Sequence, residues 1–219
     1  IMGTMKTTTI YKKSIKLPTD FDTLKKGSSN KKLGFKVTAK KWTGKRLYSL
    51  TLTERDTCPT SCHHWEDCYG NNMPFAHRFS IEGLTDKLEI EIAALMKKHP
   101  QGIVIRLHVL GDFYSLEYLK FWERMLFEFP ELCVFGYTGR ELGTDIGNAI
   151  HLMNLRFSDR WVIRYSRNNE STEMGKWFAA EESFEGKHFD CPEQSGKLEN
   201  CASCGLCWIV QNTVRFTTH

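Results

Sequence analysis

Seven of the eight cysteines fall into two groups, and this restricts the fold more than any other feature of the chain. The first group is Cys58-Pro59-Thr60-Ser61-Cys62-His63-His64-Trp65-Glu66-Asp67-Cys68, with spacing C-x3-C-x5-C. The second is Cys191, followed by Cys201-Ala202-Ser203-Cys204-Gly205-Leu206-Cys207, with spacing C-x9-C-x2-C-x2-C. Thiolates select zinc, copper(I) or iron–sulfur clusters over hard cations. Three thiolates in eleven residues can surround one soft centre and leave a metal position open, whereas structural zinc takes four ligands. His63 or His64 as a fourth ligand would favour zinc. Two overlapping C-x2-C units in the tail resemble the run that holds cubanes in bacterial ferredoxins, and zinc is the rival there. The alternative at both places is buried cysteines acting as small apolar residues. Cys133, alone in Leu132-Cys133-Val134-Phe135, is expected to do that.

Size and setting narrow the reading. A chain of 219 residues, 41% hydrophobic and 26% charged, can bury its own core and needs no metal to rescue a small fold. No apolar run approaches the roughly 20 residues of a membrane span, and no basic-then-apolar leader opens the sequence. Residues 1–4 are expected to be an expression scar before a natural start at Met5. A cytoplasmic location is expected, and with it metal ligation in preference to disulfides.

Charge is uneven. Residues 1–46 hold 13 of the 30 basic residues and two of the 26 acidic ones, an excess of eleven positive charges. The remainder carries an excess of seven negative charges. A basic arm of this kind can neutralise nucleic-acid phosphates, although a lysine-rich solvated segment gives the same pattern.

Periodicity after the first cysteines alternates between 3.6 and 2 residues. Strands are expected at 45–53, 103–110, 132–138 and 160–166, with helices at 84–99 (N-cap Thr85), 115–129 (N-cap Ser115) and 144–153. This alternation predicts a parallel α/β sheet with right-handed crossovers, and four strands suit an open, partial (β/α) barrel. The expected division is a basic arm at 1–46, the partial barrel at 47–187 and a cysteine-rich metal-binding tail at 188–219. In such folds ligands gather at the C-terminal ends of strands. His108, Asp112, Tyr137, Thr138, Arg140, Ser166, Arg167 and Asn168 map there. Arg106, His108 and Asp112 alternate and are expected on one side of their strand. His108, Asp112, Tyr137 and Arg140 are the catalytic candidates. The competing reading makes Arg106–Asp112 a structural ion pair and His108 a core residue.

A three-cysteine loop after a strand, followed by Leu110-Gly111-Asp112-Phe113 at the end of the next strand, is similar to the radical S-adenosylmethionine superfamily. With Arg106-Leu107-His108, Tyr137-Thr138 and the ending Cys204-Gly205-Leu206-Cys207-Trp208, the chain more closely resembles the gene-product-eighty-eight-like family of phage proteins, over roughly residues 45–210. The resemblance implies a [4Fe–4S] cluster on Cys58, Cys62 and Cys68, with S-adenosylmethionine on its open iron and Gly111, Asp112 and Ser166 contacting that cofactor. It implies a second cluster on Cys191, Cys201, Cys204 and Cys207, and an electron-donor protein as partner. The chain departs from the superfamily in a last gap of five residues rather than two, in Asp67 rather than an aromatic before Cys68, and in one strand-end glycine rather than two. A metal-stabilised nucleic-acid-binding module and a simple electron carrier are the other expectations.

Overall fold

The computed structural model describes residues 8–62, 64–167, 178–180, 185–209 and 211–217. Its strands and helices, in chain order, are β1 (Ile15–Lys16), β2 (Lys25–Lys26), β3 (Arg46–Ser49), β4 (Arg78–Phe79), α1 (Leu84–Lys98), β5 (Ile103–Leu107), α2 (Leu116–Glu128), β6 (Cys133–Thr138), α3 (Asp145–Arg156), β7 (Trp161–Arg167), β8 (Phe178–Ala180), β9 (His188–Asp190), α4 (Cys201–Cys204), α5 (Leu206–Ile209) and β10 (Thr213–Arg215). Eight strands form one sheet in the order β2-β3-β5-β6-β7-β8-β10-β9, and β1 pairs with β4 in a second, two-stranded sheet. Every pairing is parallel except β2 with β3. The architecture is thus mixed α/β with a largely parallel sheet. No helix among the described residues is long and apolar enough to cross a membrane.

Helices α1, α2 and α3 each return the chain to the next parallel strand. Ser115 caps α2 by accepting from the Tyr118 amide, and Thr144 caps α3 by accepting from the Gly147 amide. Gly83, not Thr85, stands at the N-cap of α1, where its φ of +65° suits a glycine. The apolar stripe of α2 buries Tyr118, Leu119, Phe121, Trp122, Met125 and Leu126. Burial of such side chains contributes about 1.5–3 kcal/mol each.

The sheet has two differently covered faces. Alternate residues of a strand point to opposite faces. Trp161 of β7 meets Trp122 of α2, and the Tyr165 hydroxyl donates to the Gly147 carbonyl of α3, so this face carries the helices. The other face carries Phe135, Tyr137 and Arg164. Trp208 of α5 packs on Phe135 and stacks on Trp42, with ring centroids 4.6 and 4.9 Å apart.

Several expectations change. Among the described residues the sheet has eight strands rather than four, because Lys25–Lys26 supplies β2, Phe178–Ala180 supplies β8, and 188–219 supplies β9 and β10. The tail therefore completes the sheet as well as covering one face of it. The strand expected at 45–53 ends at Ser49, and Leu52 makes only a single bridge to Phe79. The strand expected at 103–110 ends at Leu107. The segment read as a basic arm places Leu24, Leu33, Val37, Ala39 and Trp42 in the core, which ties it to the body. Its lysines supply the charge while its apolar residues, interleaved between them, supply the anchoring.

His108 does not share a side with Arg106. It is buried against α2, with Nε2 3.0 Å from the Tyr118 hydroxyl and its ring edge-on to Phe113. Burial depresses its pKa from 6.5 to about 3. The folded chain refuses a proton that the unfolded chain accepts below pH 6.5, so stability falls as pH drops through 6.5 and levels off near 3. His108→Gln is expected to abolish a loss of about 2 kcal/mol between pH 7 and pH 5, as read by urea denaturation at the two pH values.

Candidate metal centres

The three-cysteine loop is attached to the ends of β5 and β6 by main-chain and side-chain hydrogen bonds. After β3 the chain still pairs with the β5 side, through Leu50 N to Arg106 O at 3.2 Å and Leu52 N to Leu110 O at 2.9 Å. The Thr57 hydroxyl donates to the Thr53 carbonyl at 2.8 Å and accepts from the Asp112 amide at 3.1 Å. Arg140 closes the clamp. Its Nη2 donates to the Thr57 carbonyl and its Nε to the Phe113 carbonyl, both at 2.8 Å.

Asp112 lies at the centre of this clamp. Oδ1 accepts from the Thr138 hydroxyl and the Phe113 amide, and Oδ2 from the Gly139 amide, all at 2.7 Å. Burial raises its pKa from 3.8 to about 6 against the lowering effect of those donors and of Arg140. The carboxylate is largely consumed in holding strand ends and loop together. Arg106 is not its partner.

Gly111 also serves the loop. At φ +83°, a Cβ there would lie 2.6 Å from Leu52 Cβ and 2.6 Å from Thr57 Oγ1. Gly111→Ala combines left-handed strain with a clash that neither neighbour can relieve cheaply. A loss of about 2–4 kcal/mol is expected in denaturant melts, together with lower metal occupancy.

Cys58, Cys62 and Cys68 are each half-buried and free of disulfides. The main-chain N–H groups of Arg55, His64 and Gly70 favour the thiolates of Cys58, Cys62 and Cys68 respectively. Burial nonetheless raises all three thiols, Cys58 to about 12, with Asp112 and the other two cysteines adding to the rise at Cys58. Cys62 reaches the end of β6: its Sγ lies 3.9 Å from where a Gly139 Cβ would stand. His64 Nδ1 faces Asp67 at 3.4 Å, and His63 lies outside the described residues.

Beneath the loop is a group that sequence reasoning missed. Glu54 and Arg78 are both buried and pair through Nε and Oε2 at 2.7 Å. Arg78 also donates to the carbonyls of Gly70, Met73 and Ala76 and to the Ser14 hydroxyl, which fixes the chain just after Cys68. Glu54 accepts from the Thr9 hydroxyl at 2.6 Å. Arg55 is buried with φ +68°; its Nε reaches the Trp65 carbonyl and its Nη2 reaches Asn71 Oδ1. Nothing in the pattern of charges along the sequence separates these residues from solvated ones.

The tail group is built differently. Asn200 caps α4 by accepting from the Ser203 amide. The Cys201 and Ala202 amides donate to the carbonyls of Lys32 and Leu33, and the Thr38 and Ala39 amides donate back to the Ala202 carbonyl. Gly205, at φ +66°, turns the chain between α4 and α5, where a Cβ would meet Ala39 Cβ at 2.5 Å. Cys191 is held beside β10 through its amide and the Arg215 carbonyl at 2.9 Å. Neighbouring cysteines raise three of these thiols: Cys191 and Cys207 act on Cys201, Cys191 on Cys204, and Cys191 and Cys204 on Cys207. Burial leads in raising Cys201 to about 12 and Cys207 to about 11. The chain separation of Cys191 from the C-x2-C-x2-C run is closed by the pairing of β9 with β10.

Tyr137, expected with the strand-end residues, donates its hydroxyl to Cys207 Sγ at 2.7 Å and so belongs to the tail group. Ser166 lies half-buried near the end of β7, paired with Ala179 of β8. Arg167 ends β7, and Asn168 lies outside the described residues. Cys133 is buried in the core as expected. A cavity of about 450 Å³ adjoins the loop, lined by Pro59, Thr60, Ser61, Arg140, Thr144 and Asp145 among others. Of the strand-end candidates, Arg140 alone reaches it among its lining residues.

The donor chemistry fits a soft metal centre at each place, with three thiols at one and four at the other. Among the described residues, no three His, Cys, Asp or Glu side chains converge tightly enough to hold a single metal ion. The fold and donors define an α/β protein with two cysteine-rich candidate metal centres. No protein-family model, curated protein or solved structure matches the chain.

Proposed function

We propose that this protein binds iron–sulfur clusters at both thiol groups, and that the three-cysteine loop is the reaction centre of a radical S-adenosylmethionine-like enzyme on a partial (β/α) barrel. The observation that carries this reading is the loop itself. Three half-buried thiols stand in a loop clamped to the C-terminal ends of β5 and β6 by Asp112 and Arg140. Ligand sites in parallel α/β folds gather at that edge.

Cys58, Cys62 and Cys68 would hold a [4Fe–4S] cluster whose remaining iron is free for S-adenosylmethionine. When bound, the cluster supplies one electron for cleaving the sulfonium of that cofactor. The chain's own residues do the positioning. Thr57, Asp112 and Arg140 fix the loop's first cysteine, Arg78 fixes the segment after its last, and the neighbouring cavity gives a small molecule access beside Pro59–Ser61. Main-chain N–H groups of the loop favour the thiolate form that ligation requires, against the burial that opposes it.

The test is anaerobic reconstitution with iron and sulfide, then reduction with dithionite in the presence of S-adenosylmethionine. Brown material with acid-labile sulfide, and formation of 5′-deoxyadenosine or methionine, is the expected result. Colourless protein rich in zinc would overturn the cluster assignment. Loaded, reduced protein that yields neither product would overturn the enzymatic one.

A further inference from the structure

The face of the sheet that receives the tail is cationic where the tail thiols touch it. Arg106 of β5 and Arg164 of β7 project there on either side of Tyr137 of β6, as the register of these strands requires. The Arg106 guanidinium lies over the Tyr137 ring, 5.9 Å from its centroid, and its charge reaches Cys201. Arg106 Nε is buried without a hydrogen-bond partner among the described residues. Arg164 is buried, donates from Nε to the Cys207 carbonyl at 2.8 Å, and acts electrostatically on the Cys207 sulfur. Tyr137 completes the set with its hydrogen bond to that sulfur.

Zinc held by four thiolates also gains from nearby cations and hydrogen-bond donors, but it takes up no electron. A cluster that takes up an electron becomes more negative by one. Cations and hydrogen-bond donors at its sulfurs then stabilise the reduced form and raise its potential.

Resting on the cluster reading above, we infer that the four-thiol centre is redox-active and that Tyr137 and Arg106 set its potential, Tyr137 through its hydrogen bond to the Cys207 sulfur and Arg106 through its charge over the Tyr137 ring. They are tuning residues and touch no substrate. Tyr137 also stands two residues before Gly139, which Cys62 of the other centre approaches, so both thiol groups reach the end of β6.

The experiment is an anaerobic redox titration of the reconstituted full chain with dithionite as one-electron donor, followed by electron paramagnetic resonance. Cys62→Ala and Cys204→Ala variants assign the loop and tail signals. Tyr137→Phe and Arg106→Met are each expected to lower the midpoint of the tail centre and leave that of the loop centre in place. Arg106→Lys, which keeps the charge, is expected to restore most of the shift. Unchanged tail midpoints in fully loaded variants would overturn the inference. So would loss of tail iron in both variants, since tuning leaves occupancy intact. Wild-type protein with one cluster in the loop and zinc in the tail would overturn it while leaving the loop reading in place. Absence of any cluster would instead remove the proposed function.

Discussion

Cys62→Ala is expected to cut the iron and sulfide of reconstituted protein by half, from about eight iron atoms per chain to about four if each group holds a [4Fe–4S] cluster. Cys62 is one of only three thiols in its loop, so its loss leaves two, and the segment 58–68 offers no described replacement: His64 is turned to Asp67. The tail thiols depend on Asn200, Lys32, Leu33 and Tyr137, none of which touches Cys62, so their share of the metal should remain. Cys204→Ala is expected to produce the complementary loss. Cys133→Ala, in the core of β6, should leave metal content unchanged and cost only packing energy, about 1 kcal/mol for the small volume lost. Metal and sulfide analysis of the three variants decides the matter. Equal loss from Cys62→Ala and Cys133→Ala, or loss of all the iron from Cys62→Ala alone, would mean that the two groups are not separate centres.

Arg78→Met is expected to destabilise the protein by about 3–5 kcal/mol, enough to consume a large part of the 5–15 kcal/mol that typically separates folded from unfolded chains. The cost arises less from the ion pair as an attraction than from what is left behind. Glu54 would remain buried without its cation, and the carbonyls of Gly70, Met73 and Ala76 would lose a donor that water cannot easily replace. Arg78→Lys should recover only part, because one ammonium cannot span the acceptors that the guanidinium fork reaches. A Glu54→Leu, Arg78→Met double variant should lose less than Arg78→Met alone, since the uncompensated charge is gone. Urea midpoints measure each effect. The same variants should load less metal in the loop than in the tail, because Arg78 fixes the chain immediately after Cys68.

Much of the arrangement is legible in local pattern. The helices at 84–98, 116–128 and 145–156 follow from apolar spacing, and the start of the second from its Ser115 cap. The parallel α/β character follows from their alternation with β-branched runs. The grouping of seven cysteines apart from Cys133 follows from spacing, and the structure places Cys133 in the core. Strand ends were less legible. At Ser49 and Leu107 the regular ladder stops while the apolar run continues, because Leu50 and Leu52 still bond to Arg106, Val109 and Leu110 through main-chain groups outside the strand register.

The tail shows why contact is not pattern. Nothing in residues 188–219 has strand periodicity, and β9 and β10 are three residues each. They exist because the open edge of β8 offers unpaired main-chain groups, a requirement that appears only once the sheet is assembled.

What the amino-acid sequence by itself determined is the local chemistry: which segments can be helix or strand, and which cysteines lie close enough along the chain to act together. What only the tertiary structure decided is the company those residues keep. It turned His108 into the core, took Tyr137 from the strand-end group to the tail thiols, spent Asp112 on holding the loop, and buried Glu54 with Arg78 beneath it. The reason is physical. Periodicity records whether a side chain prefers water, whereas the partner of a buried polar group is set by which strands lie side by side, over separations of 24 residues for Glu54 and Arg78 and 70 for Tyr137 and Cys207.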